Sequence, residues 1–214
     1  MTGLTLYGYR YSVYTRIVRL IAAEKRLALA YAEVDPFAPL PPGYLDLHPF
    51  GRVPALNHDG FWLYETEAIA RYLDEAVAGA RLQPKDPKAR ARLAQVIGIV
   101  DAYAYRPLVR QVFSQAVFRP AAGLASDPER LAAGLAEAPR VLAALEAIAA
   151  EGLVLTAEGP PDLAALYLAP MLAYFLQAPA APALLAANPA LWRWWQGIAQ
   201  RPSLTATDPG LPGL

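Results

Sequence analysis

The spacing of apolar positions divides this 214-residue chain into two unlike parts. Residues 4–9 (LTLYGY) read as a short strand, and Val13, Ile17, Leu20 and Ile21 then recur at helical spacing in a segment ending near Leu27. Residues 29–34 predict a second strand, and 36–43 a proline-rich loop. Residues 54–57 and 61–64 predict two further strands joined at His58-Asp59-Gly60, a hairpin signal. Ile69, Tyr72, Leu73 and Ala76 follow at helical spacing.

The order β-α-β, loop, β-β-α predicts a thioredoxin-like α/β sheet, with a right-handed crossover in its βαβ half. This domain is expected to span residues 1–82, with a polar, proline-bearing linker over 83–87. Residues 88–214 read as all-helical. Leu93, Val96, Ile97, Val100 and Ala104 make one stripe, with a kink expected at Pro107. Leu131, Leu135, Leu142, Leu145 and Ile148 make another, which Pro139 is expected to disturb. Leu191, Trp194, Trp195 and Ile198 form the last, ended by Arg201-Pro202.

Residues 163–187 carry no charge and are long enough to span a bilayer. Gln177 interrupts the run, and Pro170, Pro179 and Pro182 break it, each at about 3 kcal/mol in a helix interior. A buried core helix capped by Asp162 and followed by a shorter one is the better reading. No secretory leader is evident, since Met1 leads directly into the first strand, so a cytoplasmic protein without membrane contact is expected.

Net charge is zero and the isoelectric point near 6.7, so there is no basic footprint for nucleic acid. The chain has no cysteine, which excludes disulfides, a protein thiolate nucleophile and cysteine-held metal; no metal site is expected.

The chemistry concentrates in residues 48–73, HPFGRVPALNHDGFWLYETEAIARYL. Val53-Pro54 is a candidate cis bond, because the isomers of an X-Pro bond differ little in energy. Such a bond leaves the backbone of Val53 open to pair with an extended ligand. Glu65-Thr66 opens a helix, where free N–H groups and the dipole favour an anion. Glu65 suits an ammonium and Thr66 a carboxylate, and a γ-glutamyl head carries both. The same pair also reads as a capped amphipathic helix after a hairpin.

This block resembles the glutathione-binding half of the glutathione transferase family, whose pattern runs N-P-x-G-x-V-P, strands, then E-S before A-I-x-x-Y-L. Here it reads His48-Pro49-Phe50-Gly51-Arg52-Val53-Pro54, then Glu65-Thr66, Ala68-Ile69 and Tyr72-Leu73, with His48 for Asn and Thr66 for Ser. The family's closing W-x-x-x-x-x-R-P is matched by residues 195–202. Its S/T-x-x-D capping box is half matched, with Asp162 present and Gly159 in place of the hydroxyl.

The resemblance implies an enzyme that turns the thiol of glutathione into a thiolate and directs it at a hydrophobic electrophile or a peroxide. Glutathione would be a cosubstrate, with no permanently bound cofactor, and the protein a detoxifying homodimer. Within the family Ser12-Val13-Tyr14-Thr15-Arg16 is similar to the S-x-x-[TC]-R of serine-type members of phi- and theta-like, bacterial character. This implies that Ser12 activates the thiol, with Tyr11 as runner-up. A serine that only caps the first helix is the alternative.

Arg52, Val53, Pro54, Glu65 and Thr66 are implied to hold glutathione, and Asp101 to meet its ammonium from the partner subunit. A His-Lys pair used by phi members falls on Pro39 and Leu40, which shifts the glycyl carboxylate onto Arg52 or His48. Tyr14, Tyr105, Arg106 and Phe113 are implied to line the electrophile pocket. A glutathione-binding ligand carrier or interaction module without turnover is the alternative function.

Overall fold

The computed structural model describes residues 3–213; Met1, Thr2 and Leu214, the outermost residues of the two expected domains, lie outside them. The chain forms two compact bodies, residues 3–81 with 206–209, and residues 82–205 with 210–213. The tail segment 206–209 therefore counts with the α/β body, and not with the helical one that the hydropathy pattern assigns it to.

The first body is a four-stranded mixed sheet in the order β2-β1-β3-β4. β1 (Leu4–Gly8) pairs in parallel with β2 (Ala30–Glu33), and the antiparallel β3 (Ala55–His58) and β4 (Phe61–Tyr64) complete it. α1 (Val13–Glu24) crosses from β1 to β2, and α3 (Thr66–Ala76) follows β4. Asp59 and Gly60 close the β3–β4 hairpin at φ 51° and 93°, the pair of positive angles that a two-residue turn matched to strand twist requires. Leu6, Leu56, Ile17, Ile21, Ile69 and Leu73 are all buried and form the core of this thioredoxin-like body.

α2 (Tyr44–Leu47) is a single helical turn that apolar spacing does not signal, because four residues are too few to show a period. At the far end of α1, Lys25 is buried. Its ammonium donates to the carbonyls of Asp74 (3.3 Å) and Ala80 (2.9 Å) and stands 3.7 Å from the Asp74 carboxylate. The C-terminal ends of α1 and α3 are thereby tied together.

The second body is helical. α4 (Pro87–Ile99), capped by Asp86, runs on into a π-helical segment, Val100–Phe118, then the short α5 (Arg119–Ala121). α6 (Pro128–Ala150), α7 (Leu163–Phe175), α8 (Ala181–Ala186), α9 (Pro189–Ile198) and α10 (Pro202–Ala206) follow. Pro170 behaves otherwise than its local cost predicts, since it does not break its helix. Pro107, Pro139 and Pro170 all lie inside continuous helices.

The case of Pro170 shows why. Twelve of the 13 residues of α7 are buried, and burying each large aliphatic side chain is worth about 1.5–3 kcal/mol, so packing outweighs one proline. The Asp162 carboxylate accepts the Ala165 N–H at 2.8 Å and caps α7 without a hydroxyl partner. Gly159 sits at φ 88°, a conformation that a Ser or Thr there would adopt only under strain. Among the described residues no helix is long and apolar enough to cross a membrane.

Two helical glycines make opposite predictions. A Cβ on Gly134 in α6 would stand 2.6 Å from Gln111 Cβ and 2.9 Å from the Pro107 carbonyl. Gly134→Ala is expected to cost about 1–3 kcal/mol by overpacking. Gly98 in α4 faces nothing within 4 Å, and Gly98→Ala is expected to add about 0.5–1 kcal/mol through helix propensity. Urea denaturation of both variants checks the pair; equal signs would contradict this packing.

Candidate functional site

The register of the sheet decides which loops meet. Tyr7 stands opposite Ala55, and Ala55 opposite Tyr64. The chain leaving β1 toward Ser12, the chain entering β3 through Val53-Pro54 and the chain leaving β4 into Glu65-Thr66 therefore lie at one end of the sheet. Three segments distant in sequence form one site because pairing aligns their strand ends.

At the first of these, Ser12 is the N-cap of α1. Its N–H donates to the Tyr9 carbonyl at 2.9 Å, and its Oγ accepts the Thr15 N–H at 3.3 Å. A hydroxyl has one proton and two lone pairs, so capping spends a lone pair and leaves the O–H to donate elsewhere. The capping role and the thiol-activating role of Ser12 are thus compatible in one geometry. Thr15 is fully buried, and a Cβ on Gly8 would meet its Oγ1 at 2.7 Å. Glycine at the end of β1 is what lets α1 start so close to the sheet.

The nearby tyrosines pack. Tyr9 and Tyr11 meet edge to face at 5.5 Å, and Tyr9 also meets Phe37 at 5.9 Å. Burial, then the Asp35 carboxylate, holds the Tyr9 hydroxyl above its ordinary value and therefore protonated. Tyr11 and Tyr14 are half-buried.

At the second segment, Val53-Pro54 is cis. Pro54 is buried, Val53 half-buried and Arg52 exposed. The buried Tyr44 of α2 donates its hydroxyl to the Arg52 carbonyl at 2.8 Å and so anchors the backbone just before the cis bond. Burial pushes that hydroxyl up to about 12. Sequence reasoning missed Tyr44; the signal available was a lone aromatic eight residues before the Val53-Pro54 approach.

His48 is 3% exposed, stacked 4.8 Å from the Tyr64 ring and 6.4 Å from that of Tyr44. Its Nδ1 is buried with no hydrogen-bond partner among the described residues. Burial lowers its pKa, with Arg52 acting the same way and Glu65 opposing. A buried imidazole held neutral is a poor cation for a carboxylate, so of the two expected candidates Arg52 is the better placed.

At the third segment, Glu65 is exposed and adopts φ 68°, ψ 118°, which a non-glycine residue holds only at a cost. It precedes α3 without capping it by its side chain, and the first backbone bond of the helix is Ile69 N–H to Glu65 O at 3.0 Å. Thr66, 5% exposed, begins α3. Such an N-terminus keeps its first N–H groups for an anion.

The expected electrophile residues separate. Tyr14 belongs to the first body, whereas Tyr105, Arg106 and Phe113 lie on the π-helical segment of the second. Tyr105 is half-buried and Arg106 exposed. Phe113 is corrected to a core residue: it is 5% exposed and stacks on Tyr174 at 4.5 Å, which leaves it little face for a ligand. Asp101, exposed on the same segment, accepts the Tyr167 hydroxyl at 3.2 Å, so one carboxylate oxygen is engaged inside its own body.

Residues 6–81 match the family model described as the glutathione S-transferase N-terminal domain. Over nearly its whole length the chain is 28% identical to Glutathione S-transferase F13 of Arabidopsis thaliana, covering 98% of this chain and 96% of the relative. It is 29% identical to Glutathione S-transferase 3 of Zea mays, covering 99% and 96%. Among solved structures it is similar to glutathione S-transferase III in apo form, with TM-score 0.81 and 28% identity over 98% of this chain and 97% of that one. It is also similar to a theta class glutathione S-transferase from Xanthomonas axonopodis pv. citri with glutathione bound, at TM-score 0.79 and 25% identity over 97% and 98%.

The state of His48 yields a pH prediction. Its folded pKa lies below the unfolded value of about 6.5, so below that pH the unfolded chain takes up a proton that the folded one resists. The contribution of His48 to stability is present above that pH and lost as pH falls below it. His48→Gln is expected to flatten the fall of Tm with pH between about 7 and 5; an unchanged slope in thermal scans would rule this out.

Proposed function

We propose that this chain, whose residues 6–81 match the glutathione S-transferase N-terminal domain, is a glutathione transferase of the serine type with a phi- or theta-like motif. The observation that carries the reading is the alignment of three strand ends, which gathers Ser12, Val53-Pro54 and Glu65-Thr66 at one end of the sheet. The names of its relatives support the same reading.

Each segment takes one part of the tripeptide. The Glu65 carboxylate meets the γ-glutamyl ammonium, while Thr66 and the first N–H groups of α3 take the α-carboxylate. Val53 pairs its backbone with the cysteinyl unit, its orientation fixed by the cis bond to Pro54. Arg52 takes the glycyl carboxylate. Ser12 donates its hydroxyl hydrogen to the sulfur, and the dipole of α1 adds to the preference for the anion.

A free thiol has a pKa near 8.5, and lowering it by about two units needs about 2.7 kcal/mol. One charge-assisted hydrogen bond of about 1.5–3 kcal/mol with a helix N-terminus of about 0.3–1 kcal/mol suffices. The thiol proton passes to solvent and the thiolate attacks an electrophilic carbon, displacing its leaving group or opening its ring. With a peroxide, the thiolate attacks one oxygen and the O–O bond breaks, releasing the alcohol and leaving a sulfenic acid on glutathione; the thiol of a second glutathione then attacks that sulfur, water leaves, and the disulfide forms.

The electrophile is hydrophobic. The protein acts in the cytoplasm as a detoxifying homodimer. Asp101 is the residue proposed to meet the ammonium of a tripeptide on the partner subunit.

Thiol titration of bound glutathione tests the central role. Ser12→Ala is expected to raise the thiol pKa by about one to two units and lower kcat/KM about 10- to 100-fold, with retention on glutathione resin preserved. Tyr11→Phe is expected to leave the pKa in place. An unmoved pKa and rate in Ser12→Ala would sink the assignment, and retention without turnover of any electrophile would turn the reading toward the carrier.

A further inference from the structure

The helix that presents Ser12 is fastened from the other end of the chain. Arg16 lies one turn beyond Ser12, and its N–H donates to the Ser12 carbonyl at 2.9 Å. Its guanidinium is 1% exposed, and Nη2 stands 3.1 Å from Oδ2 of Asp208, 192 residues away. Asp208 is 42% exposed on the tail segment 206–209, which counts with the first body. We propose that Asp208, acting through Arg16, is a positioning residue for the turn that activates the thiol; the inference rests on the reading of that turn given above.

A guanidinium does not deprotonate, so a buried one holds its place only where a counter-charge is set for it. Arg16 therefore sits where Asp208 puts it, and through the Ser12 carbonyl it carries the first turn of α1 with it. The opposite side of that turn is seated by shape, since Thr15 fills the space a side chain on Gly8 would need. The distal end of α1 has its own clamp, Lys25 on the Asp74 and Ala80 carbonyls.

Removing Asp208 thus leaves α1 docked at Lys25 and frees its N-terminal end selectively. A hydrogen bond to sulfur is sensitive to such a shift, because donor strength falls steeply with angle and distance. Misplacement by about 1 Å costs up to about 100-fold in rate. Asp208 lies 192 residues beyond Arg16, so the activating turn comes into register only when the segment 206–209 has docked within the first body.

The test measures kcat, KM for glutathione and the pH profile of the bound thiol in four variants. Asp208→Asn is expected to lower kcat about tenfold with KM changed less than about threefold, and to move the thiol profile to higher pH. Asp208→Glu, which keeps the charge, is expected to restore the profile. The double variant Arg16→Met, Asp208→Leu replaces the ion pair with an apolar pair and is expected to recover thermal stability while the profile stays displaced. It also serves if Asp208→Asn fails to fold.

A lower Tm with an unmoved profile in Asp208→Asn, or a profile that returns with stability in the double variant, overturns the inference. Ser12→Ala separates the two readings. Displacement in Ser12→Ala but not in Asp208→Asn overturns the positioning role alone. Displacement in Asp208→Asn but not in Ser12→Ala overturns the Ser12 assignment and leaves Asp208 positioning another donor on that turn.

Discussion

The pairing of three strands is the constraint on which the rest of the first body depends. Because Tyr7, Ala55 and Tyr64 share one rung, the ends of β1, β3 and β4 open on the same side. A slip of one residue would turn every side chain of a strand to the other face and expose Leu6 or Leu56, both buried. The hydrophobic alternation that protects the core therefore also protects the site. Selection for packing and selection for ligand geometry act on the same register.

Around that alignment, Glu65 is a non-glycine residue at positive φ, and His48 keeps a buried nitrogen without a partner among the described residues. The second body spends its polar groups differently: Asp86, Asp127 and Asp162 each cap a helix by accepting backbone N–H groups.

The legibility of the fold follows from how local each cause is. The hairpin was readable at Asp59-Gly60 because a two-residue turn depends on two residues. The thioredoxin-like order was readable because strands and one long amphipathic helix repeat their period several times. Pro170 misled, since it carries a local cost but sits in a helix whose burial is decided by distant neighbours. α2 went unseen for lack of length, and with it Tyr44, whose bond to the Arg52 carbonyl is set by tertiary folding. Of the candidate site, residues on the aligned strand ends were legible as motifs. Phe113 was not, because a stripe position on a helix does not reveal whether its neighbours are ligand or core.

The same distinction explains why Ser12 resisted decision from sequence. A serine before a helical stripe is a cap, and a serine that activates a thiol is also a cap, since both need the N-cap backbone of φ −70° and ψ 122°. The geometry makes the two roles compatible: a lone pair answers Thr15, and the hydroxyl proton is left to donate elsewhere. On the proposed reading, what governs the strength of a bond from Ser12 to sulfur is how firmly that turn is placed. Of the proposed placing residues, the buried Arg16 closes the S-x-x-[TC]-R motif, whereas no local motif identifies Gly8 at the end of β1 or Asp208, 192 residues beyond Arg16.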